Sequence, residues 1–199
     1  MKQKQLEIQL QKAEPYVKPS AKFEQYSTPA DIASDMLWTA FMDGDVQEKK
    51  VADLGCGTGI LGIGASLLGA SEVIGVDLDA HAIEVAIQNA AKLRANVRFE
   101  IMKVSDFREP VDTVVQNPPF GAQKRHADIP FLTTGMNIAE VVYSLHLSET
   151  EGFVQKRAEV LGNSVEILKR YIFVIPHTHE FHTKEKVSFN VALFRIRKG

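Results

Sequence analysis

The chain has 199 residues, a net charge of −2 and 45% hydrophobic residues, which suits one core and disfavours disorder, collagen and coiled coils. It has no apolar run long enough to span a membrane, its polar start is unlike a signal peptide, and the lone Cys56 excludes an internal disulfide. These features predict a single domain over 1–199 and a cytoplasmic location.

Charge is distributed unevenly along the chain. Residues 1–22 carry five Lys and two Glu, and residues 165–199 carry seven Lys or Arg and three Glu. The segment between them carries 11 basic and 20 acidic residues. The pI near 6.3 argues against a general nucleic-acid binder. The two basic ends still allow local contacts with phosphates.

The predicted elements begin with a basic helix or arm over residues 1–22, broken by two prolines. A helix with Thr28 as N-cap and Pro29 at its first position follows. Further along the chain we predict strands over 50–53, 72–77, 97–104, 111–115, 141–147, 165–175 and 187–196, and helices over 60–68, 80–93 and 150–161. The early strands are continuous apolar runs that alternate with helices, which is typical of a parallel sheet covered on both faces. The last two strands predict an antiparallel hairpin, so the fold class is α/β with seven strands.

A glycine-rich turn, from Asp53 to Gly59, joins the first strand to the next helix. Glycines let a ligand approach the backbone closely, and the helix N-terminus behind them offers free N–H groups. The spacing departs from the dinucleotide fingerprint, because Ile60 stands where the third glycine is required. The pattern D-x-G-x-G-x-G instead resembles motif I of the class I S-adenosylmethionine-dependent methyltransferases.

Acidic residues near this turn are candidates for cofactor contacts. Asp53 would meet the methionine ammonium, directly or through water, and Asp77 would accept hydrogen bonds from the ribose hydroxyls. Asp79 is a second ribose candidate that fits better as a helix N-cap. Asp106, with Phe107 beside it, follows the third strand, where this class binds the adenine amino group. Cys56 is predicted to be a small loop residue rather than a nucleophile.

A second motif, Asn117-Pro118-Pro119-Phe120, follows the fourth strand at the same edge of the sheet. The prolines fix the backbone, so the Asn117 side-chain oxygen and the Pro118 carbonyl can accept hydrogen bonds from a planar amine and localise its lone pair. Phe120 offers a face on which a base stacks. The motif therefore predicts transfer to an amino nitrogen without a metal, and leaves adenine N6, guanine N2 and a glutamine amide open.

Four segments in this order resemble one family: residues 24–29, NPPFG at 117–121, VYSLH at 142–146, and Phe181 with His182, Lys184 and Lys186. The family is the small-subunit rRNA adenine-N6 methyltransferases shared by eukaryotes and archaea, the methyltransferase-like-five group. The resemblance covers nearly all of residues 20–197, with Ser27 where other members often carry proline. It implies a Rossmann-like class I methyltransferase fold, S-adenosylmethionine as cofactor and an adenine in RNA as substrate.

The resemblance also implies roles for individual residues. It implies that the cofactor is bound by Gln25, Thr28, Gly55, Thr58, Ile60, Asp77, Asp106 and Phe107. We add their neighbours Tyr26, Asp53, Gly57 and Gly59 to the predicted cofactor site. Residues 117–120 would hold a flipped adenine. Apart from the resemblance, the basic residues of two segments are candidates for contacts with RNA phosphates: Lys124, Arg125, His126, His182, Lys184 and Lys186. His177, His179 and His182 have a chelating spacing but no evident acidic or cysteine partner, so no metal is predicted.

Partner and alternative functions complete the set of hypotheses. Eukaryotic members of the family pair with a small zinc-containing activator protein along a sheet edge, and the strand over 97–104 is the expected place for one here. Whether this chain needs that partner is left open. There are three alternative functions: a guanine-N2 rRNA methyltransferase, a glutamine-amide protein methyltransferase and a non-catalytic binding subunit. Phe120 disfavours the second, because glutamine-amide methyltransferases generally carry a tyrosine at that position.

Overall fold

The protein forms an α/β fold, described by a computed structural model for residues 1–16, 27–120, 127–176 and 186–199. Its helices are α1 (Gln3–Leu10), α2 (Ala30–Met42), α3 (Ile60–Leu67), α4 (Ala80–Leu93), α5 (Ile129–Ile138) and α6 (Glu151–Val160). Its strands are β1 (Lys50–Leu54), β2 (Glu72–Asp77), β3 (Arg98–Ile101), β4 (Val111–Gln116), β5 (Ala139–Leu147), β6 (Asn163–Pro176) and β7 (Lys186–Lys198). Short 3₁₀ turns occupy Val104–Asp106 and Ser148–Thr150.

The seven strands form one sheet in the order β3-β2-β1-β4-β5-β7-β6. The first five are parallel, whereas β7 runs antiparallel to both β5 and β6. This arrangement confirms the predicted seven-stranded α/β fold with its C-terminal hairpin. The strand order reverses between β1 and β4, and ligands of open α/β sheets bind beside the carboxyl ends of strands at such a point.

Two apolar clusters cover the two faces of the sheet. One contains Leu6 and Leu10 of α1 together with side chains of α2, α3 and α4. The other contains Leu132 of α5 and Val154 of α6. Because Leu6 and Leu10 are fully buried, the N-terminal helix is part of the core rather than a solvated arm.

Three local predictions need correction. The third strand spans only Arg98–Ile101, since the chain turns into a 3₁₀ helix at Val104. Helix α5 was not predicted, because Pro130 and Gly135 interrupt its apolar pattern; Pro130 lies in the first turn, where proline is tolerated. Pro29, not Thr28, is the N-cap of α2, and it makes no side-chain cap. The Asp79 cap is confirmed by its hydrogen bond from His81 N at 2.9 Å.

Candidate active site

The glycine turn and the Asn-Pro-Pro-Phe turn leave the sheet from paired positions. Leu54, the last residue of β1, is in register with Gln116, the last residue of β4. Adjacent strands are about 4.8 Å apart, so the two turns start side by side. The prediction that both motifs lie at one edge of the sheet is confirmed.

The glycine turn has a backbone that only glycine adopts easily. Gly55, Gly57 and Gly59 have φ values of +71°, +53° and +85°. A Cβ on Gly55 would lie 2.5 Å from the Phe131 ring, and one on Gly57 would clash with the Tyr16 hydroxyl. The turn is therefore closely lined by two aromatic side chains from distant parts of the chain.

Asp77 ends β2 beside this turn. Its carboxylate accepts hydrogen bonds from Gly57 N at 2.8 Å and from Asp79 N at 3.0 Å. Burial raises the pKa of Asp77, and the nearby Asp79 charge adds to the rise, while these backbone hydrogen bonds lower it. A carboxylate has more acceptor positions than the two used here, so Asp77 can still bind a hydroxyl group.

Asp53 lies deeper, at 1% exposure. Its carboxylate accepts a hydrogen bond from Gly62 N at 2.7 Å and so ties α3 to the end of β1. Burial raises the pKa of Asp53 to about 7, helped by the charge of Asp77 and opposed by the hydrogen bond from Gly62. Its predicted contact with the cofactor ammonium stays a prediction.

Asn117 is held in one orientation by a residue far away in sequence. Its Nδ2 donates to Thr28 Oγ1 at 3.0 Å. This bond directs the other end of the amide, Oδ1, away from Thr28. Asn117 Oδ1 is buried and has no hydrogen-bond partner among the described residues. A buried acceptor without a donor costs about 1–3 kcal/mol, which an incoming N–H group would recover.

Phe120 is supported by the C-terminal hairpin. Its ring meets Phe173 of β6 edge-on, with centroids 5.6 Å apart, and lies 5.8 Å from the ring of Phe189 of β7. The sequence motif does not reveal these partners, because only the pairing of distant strands brings them together.

The N-terminal segment is joined to the glycine turn through Asn89, a fully buried residue of α4. Asn89 Oδ1 accepts from Glu14 N at 2.7 Å, and Nδ2 donates to Glu14 O at 3.1 Å and to Thr58 O at 3.0 Å. These bonds bring Tyr16 over Gly57. Sequence reasoning missed Tyr16 and Asn89; an asparagine on the apolar face of a predicted helix was the available signal.

The other predicted cofactor residues lie in different settings. Thr58 and Ile60 are buried in and just after the turn, Asp106 is exposed on its 3₁₀ turn, and Phe107 is packed into the α5 side of the core. Cys56 is buried, and burial raises the pKa of its thiol, which agrees with a non-nucleophilic role.

Several predicted residues fall outside the part of the chain that the structure describes: Gln25, Tyr26, Lys124, Arg125, His126, His177, His179, His182 and Lys184. Lys186 begins β7. Within the described ranges, no cluster of three or more His, Cys, Asp or Glu side chains could hold a metal ion. The helices in these ranges are too short or too polar to cross a bilayer.

Comparisons with known proteins agree with this geometry. Residues 36–118 match the family model described as ribosomal protein L11 methyltransferase (PrmA). Over its full length the chain is 35% identical, across 204 residues, to the rRNA N(6)-adenosine-methyltransferase METTL5 of Danio rerio, covering 98% of this chain and 99% of that relative. The chain belongs to the METTL5 family.

Solved structures extend the likeness to three dimensions. The crystal structure of a candidate RNA methyltransferase from Pyrococcus horikoshii superposes with a TM-score of 0.93 at 41% identity, covering 100% of this chain and 98% of that one. Magnesium protoporphyrin IX methyltransferase from Synechocystis PCC 6803, solved with bound S-adenosylmethionine, gives a TM-score of 0.66 at 17% identity and covers 96% and 90%. The second likeness establishes a shared fold, and the first agrees with membership of the METTL5 family.

Proposed function

We propose that this protein transfers a methyl group from S-adenosylmethionine to N6 of an adenine in the rRNA of the small ribosomal subunit. We propose the cytoplasm as the place of this reaction. The observation that carries the proposal is that Asn117 Oδ1, beside the glycine turn, is buried and has no hydrogen-bond partner in the part of the chain that the structure describes. Full-length kinship with rRNA N(6)-adenosine methyltransferases supports adenine over guanine and over a glutamine amide.

Asn117 and Pro118 would prepare the amine. The lone pair of an adenine N6 amine is delocalised into the ring and attacks poorly. Hydrogen bonds from both N–H groups, to Asn117 Oδ1 and to the Pro118 carbonyl, favour a tetrahedral nitrogen and localise that lone pair. Thr28 contributes indirectly, because its contact with Nδ2 keeps Oδ1 facing the substrate. S-adenosylmethionine would supply the methyl group and leave as S-adenosylhomocysteine, and the methylated amine would give up one proton to water.

The described residues fit the cofactor. When bound, S-adenosylmethionine supplies an electrophilic methyl group on a sulfonium. Asp77 would accept from the ribose hydroxyls, and the positive-φ glycines form the tight turn beside which the cofactor would lie. Tyr16, whose hydroxyl faces Gly57, would add a wall on the side of the N-terminal segment. Neither Asp53 nor Asp77 is matched by a cation among the described residues, which suits a positively charged ligand.

The RNA must present an unstacked base, because Asn117 is half-buried and Pro118 is buried, so a base inside a duplex could not reach them. Phe120, held by the hairpin rings, would stack on that base. Lys124, Arg125, His126, His182, Lys184 and Lys186 are proposed to hold the flanking phosphates.

The sheet edge at β3 suits a partner protein. Within the described ranges this strand pairs with β2 alone, and its last residue, Ile101, is 58% exposed. An open edge can accept an added strand. We propose that a small zinc-containing activator protein adds a strand here, and expect co-expression of such a protein to raise the yield of soluble complex. A soluble chain that is fully active alone would contradict an obligatory partner.

The test of function uses labelled cofactor and rRNA, with mass spectrometry of the digested nucleosides. We expect N6-methyladenosine from the wild-type chain and at least about 100-fold less from Asn117→Ala, because one of two amine acceptors is lost. Binding of S-adenosylhomocysteine should be retained in that variant. Label on guanosine, or on ribosomal protein, would contradict the proposed substrate.

A further inference from the structure

Four polar side chains form a connected network next to the Asn-Pro-Pro-Phe turn. Gln116 Nε2 donates to Ser144 Oγ at 3.0 Å, and Ser144 Oγ lies 2.7 Å from His146 Nε2. His146 Nδ1 lies 3.4 Å from a carboxylate oxygen of Asp128. Gln116 and Ser144 are fully buried and His146 is 3% exposed, so these three side chains are shielded from solvent, whereas Asp128 is half-buried.

The hydrogen-bond directions follow from the donors available. The Asp128 carboxylate can only accept, so the tautomer of His146 that fits this geometry carries its proton on Nδ1, toward Asp128. In that tautomer His146 Nε2 accepts from the Ser144 hydroxyl, which itself accepts from Gln116. The ring of Phe194 packs edge-on against His146 with centroids 5.7 Å apart and keeps the imidazole in place.

These four side chains connect the end of β4 with the start of α5. Gln116 immediately precedes Asn117, and Asp128 is the N-cap of α5. Gln116 is also the backbone partner of Ser144 across β4 and β5. The position of Gln116 is thus fixed by a directional hydrogen bond as well as by packing, and Asp128 joins the same network through its 3.4 Å contact with His146.

Stability alone does not explain these residues. Their neighbours on the same face include Val114, Val142 and Phe194, all buried, and a buried polar network is no more stable than well-packed apolar side chains. Gln116 Oε1 is buried without a partner among the described residues, which adds a cost. The polar residues instead provide a specific arrangement of side chains at this place.

We propose that Gln116, Ser144, His146 and Asp128 form a positioning network that fixes the orientation of Asn117 and Pro118 toward the substrate amine. None of the four touches the reacting atoms; they act through the backbone that leads into the turn. The inference rests on the proposed methyltransferase activity and assigns to the VYSLH segment a role in it.

The test compares Ser144→Ala with Ser34→Ala. Ser34 is equally buried, but its hydroxyl bonds to Asp31 O within α2, so it controls for the loss of a buried hydroxyl. In steady-state assays with saturating rRNA substrate we expect kcat to fall about tenfold for Ser144→Ala, with KM for S-adenosylmethionine unchanged. Ser34→Ala should keep the wild-type kcat.

A second pair of variants separates positioning from folding. His146→Gln retains an acceptor near Nε2 and should keep more activity than His146→Leu, at equal thermal stability. In the wild-type chain, ¹⁵N NMR should find the His146 imidazole in the tautomer that is protonated at Nδ1. An unchanged kcat for Ser144→Ala, or a protonated Nε2, would overturn the network while leaving the proposed function intact. Loss of N6-methyladenosine in the wild-type assay would instead reject the function.

Discussion

Carboxylates at the two ends of β1 have opposite surroundings. Near the amino end, Asp43 and Asp45 both accept from the Tyr143 hydroxyl at 2.7 Å and are paired with Arg195 and Arg197. Burial alone would raise the pKa of Asp43, but hydrogen bonds from Tyr143 and Arg195 lower it below its ordinary value. These carboxylates are neutralised by the protein itself.

At the carboxyl end of the neighbouring strands, no cation of the described residues is paired with the carboxylates. Asp53 is buried and Asp77 is half-buried, and burial is the main cause of the raised pKa of both. We infer that the uncompensated carboxylates at this end are available to a ligand, whereas the paired ones at the other end are structural.

The largest effect is expected from Asp77→Asn. The variant keeps an acceptor for one backbone N–H but loses the charge that binds the ribose, so the affinity for S-adenosylhomocysteine should fall by about 3 kcal/mol, or roughly 100-fold. Isothermal titration calorimetry measures this change. Equal affinity in the variant and the wild-type chain would show that Asp77 is not a ligand residue.

The matching change at the other end is Asp43→Asn. It removes the charge paired with Arg195, so the free energy of unfolding should fall by about 2 kcal/mol while cofactor affinity stays unchanged. Urea denaturation of this variant measures the free energy of unfolding, and isothermal titration calorimetry measures its affinity for the cofactor. A loss of cofactor affinity here would break the distinction between the two ends.

Cofactor affinity should depend on pH through Asp53. Its raised pKa, about 7, means that the carboxylate becomes protonated as pH falls through that value, and a neutral group no longer attracts a cationic ligand. We expect the Kd for S-adenosylmethionine to rise about tenfold between about pH 8 and about pH 6. In Asp53→Asn this dependence should be much weaker, and an identical pH profile would contradict the assignment.

The smallest effect is expected from Tyr16→Phe. Burial, together with the charge of Asp77, raises the pKa of the Tyr16 hydroxyl, so it is a neutral donor beside Gly57. Its loss should weaken S-adenosylhomocysteine binding by about 1 kcal/mol, or roughly fivefold. Tyr171→Phe is the control, since that hydroxyl bonds to Asp35 on the other side of the molecule. Similar losses in both variants would argue against a contact from Tyr16.

Local sequence patterns predict those elements of this protein whose structure depends on residues close together in the sequence. The bounds of β2 and α4 agree with the prediction, because an apolar run ends at an aspartate and an amphipathic helix begins at an aspartate cap. The glycine turn and the Asn-Pro-Pro-Phe turn are found from spacing alone, since each depends on consecutive residues.

Contacts between distant segments could not be predicted in the same way. The bond from Asn117 to Thr28 spans 89 positions, and Tyr16 reaches Gly57 only because Asn89 ties down Glu14. For Thr28, a threonine before a proline predicts a helix cap and the family resemblance predicts a contact with the cofactor, whereas its bond to Asn117 is visible only once the sheet is assembled.

The pairing of Leu54 with Gln116 has a consequence for how this protein tolerates change. Side chains alternate between faces along a strand, so one inserted residue in β4 would turn Asn117 to the opposite face and part it from Thr28. The distance between the glycine turn and the Asn-Pro-Pro-Phe turn is set by the hydrogen-bonded pairing of β1 with β4 in one sheet. Alignment of the two reactants is therefore a property of strand register, present before either ligand arrives.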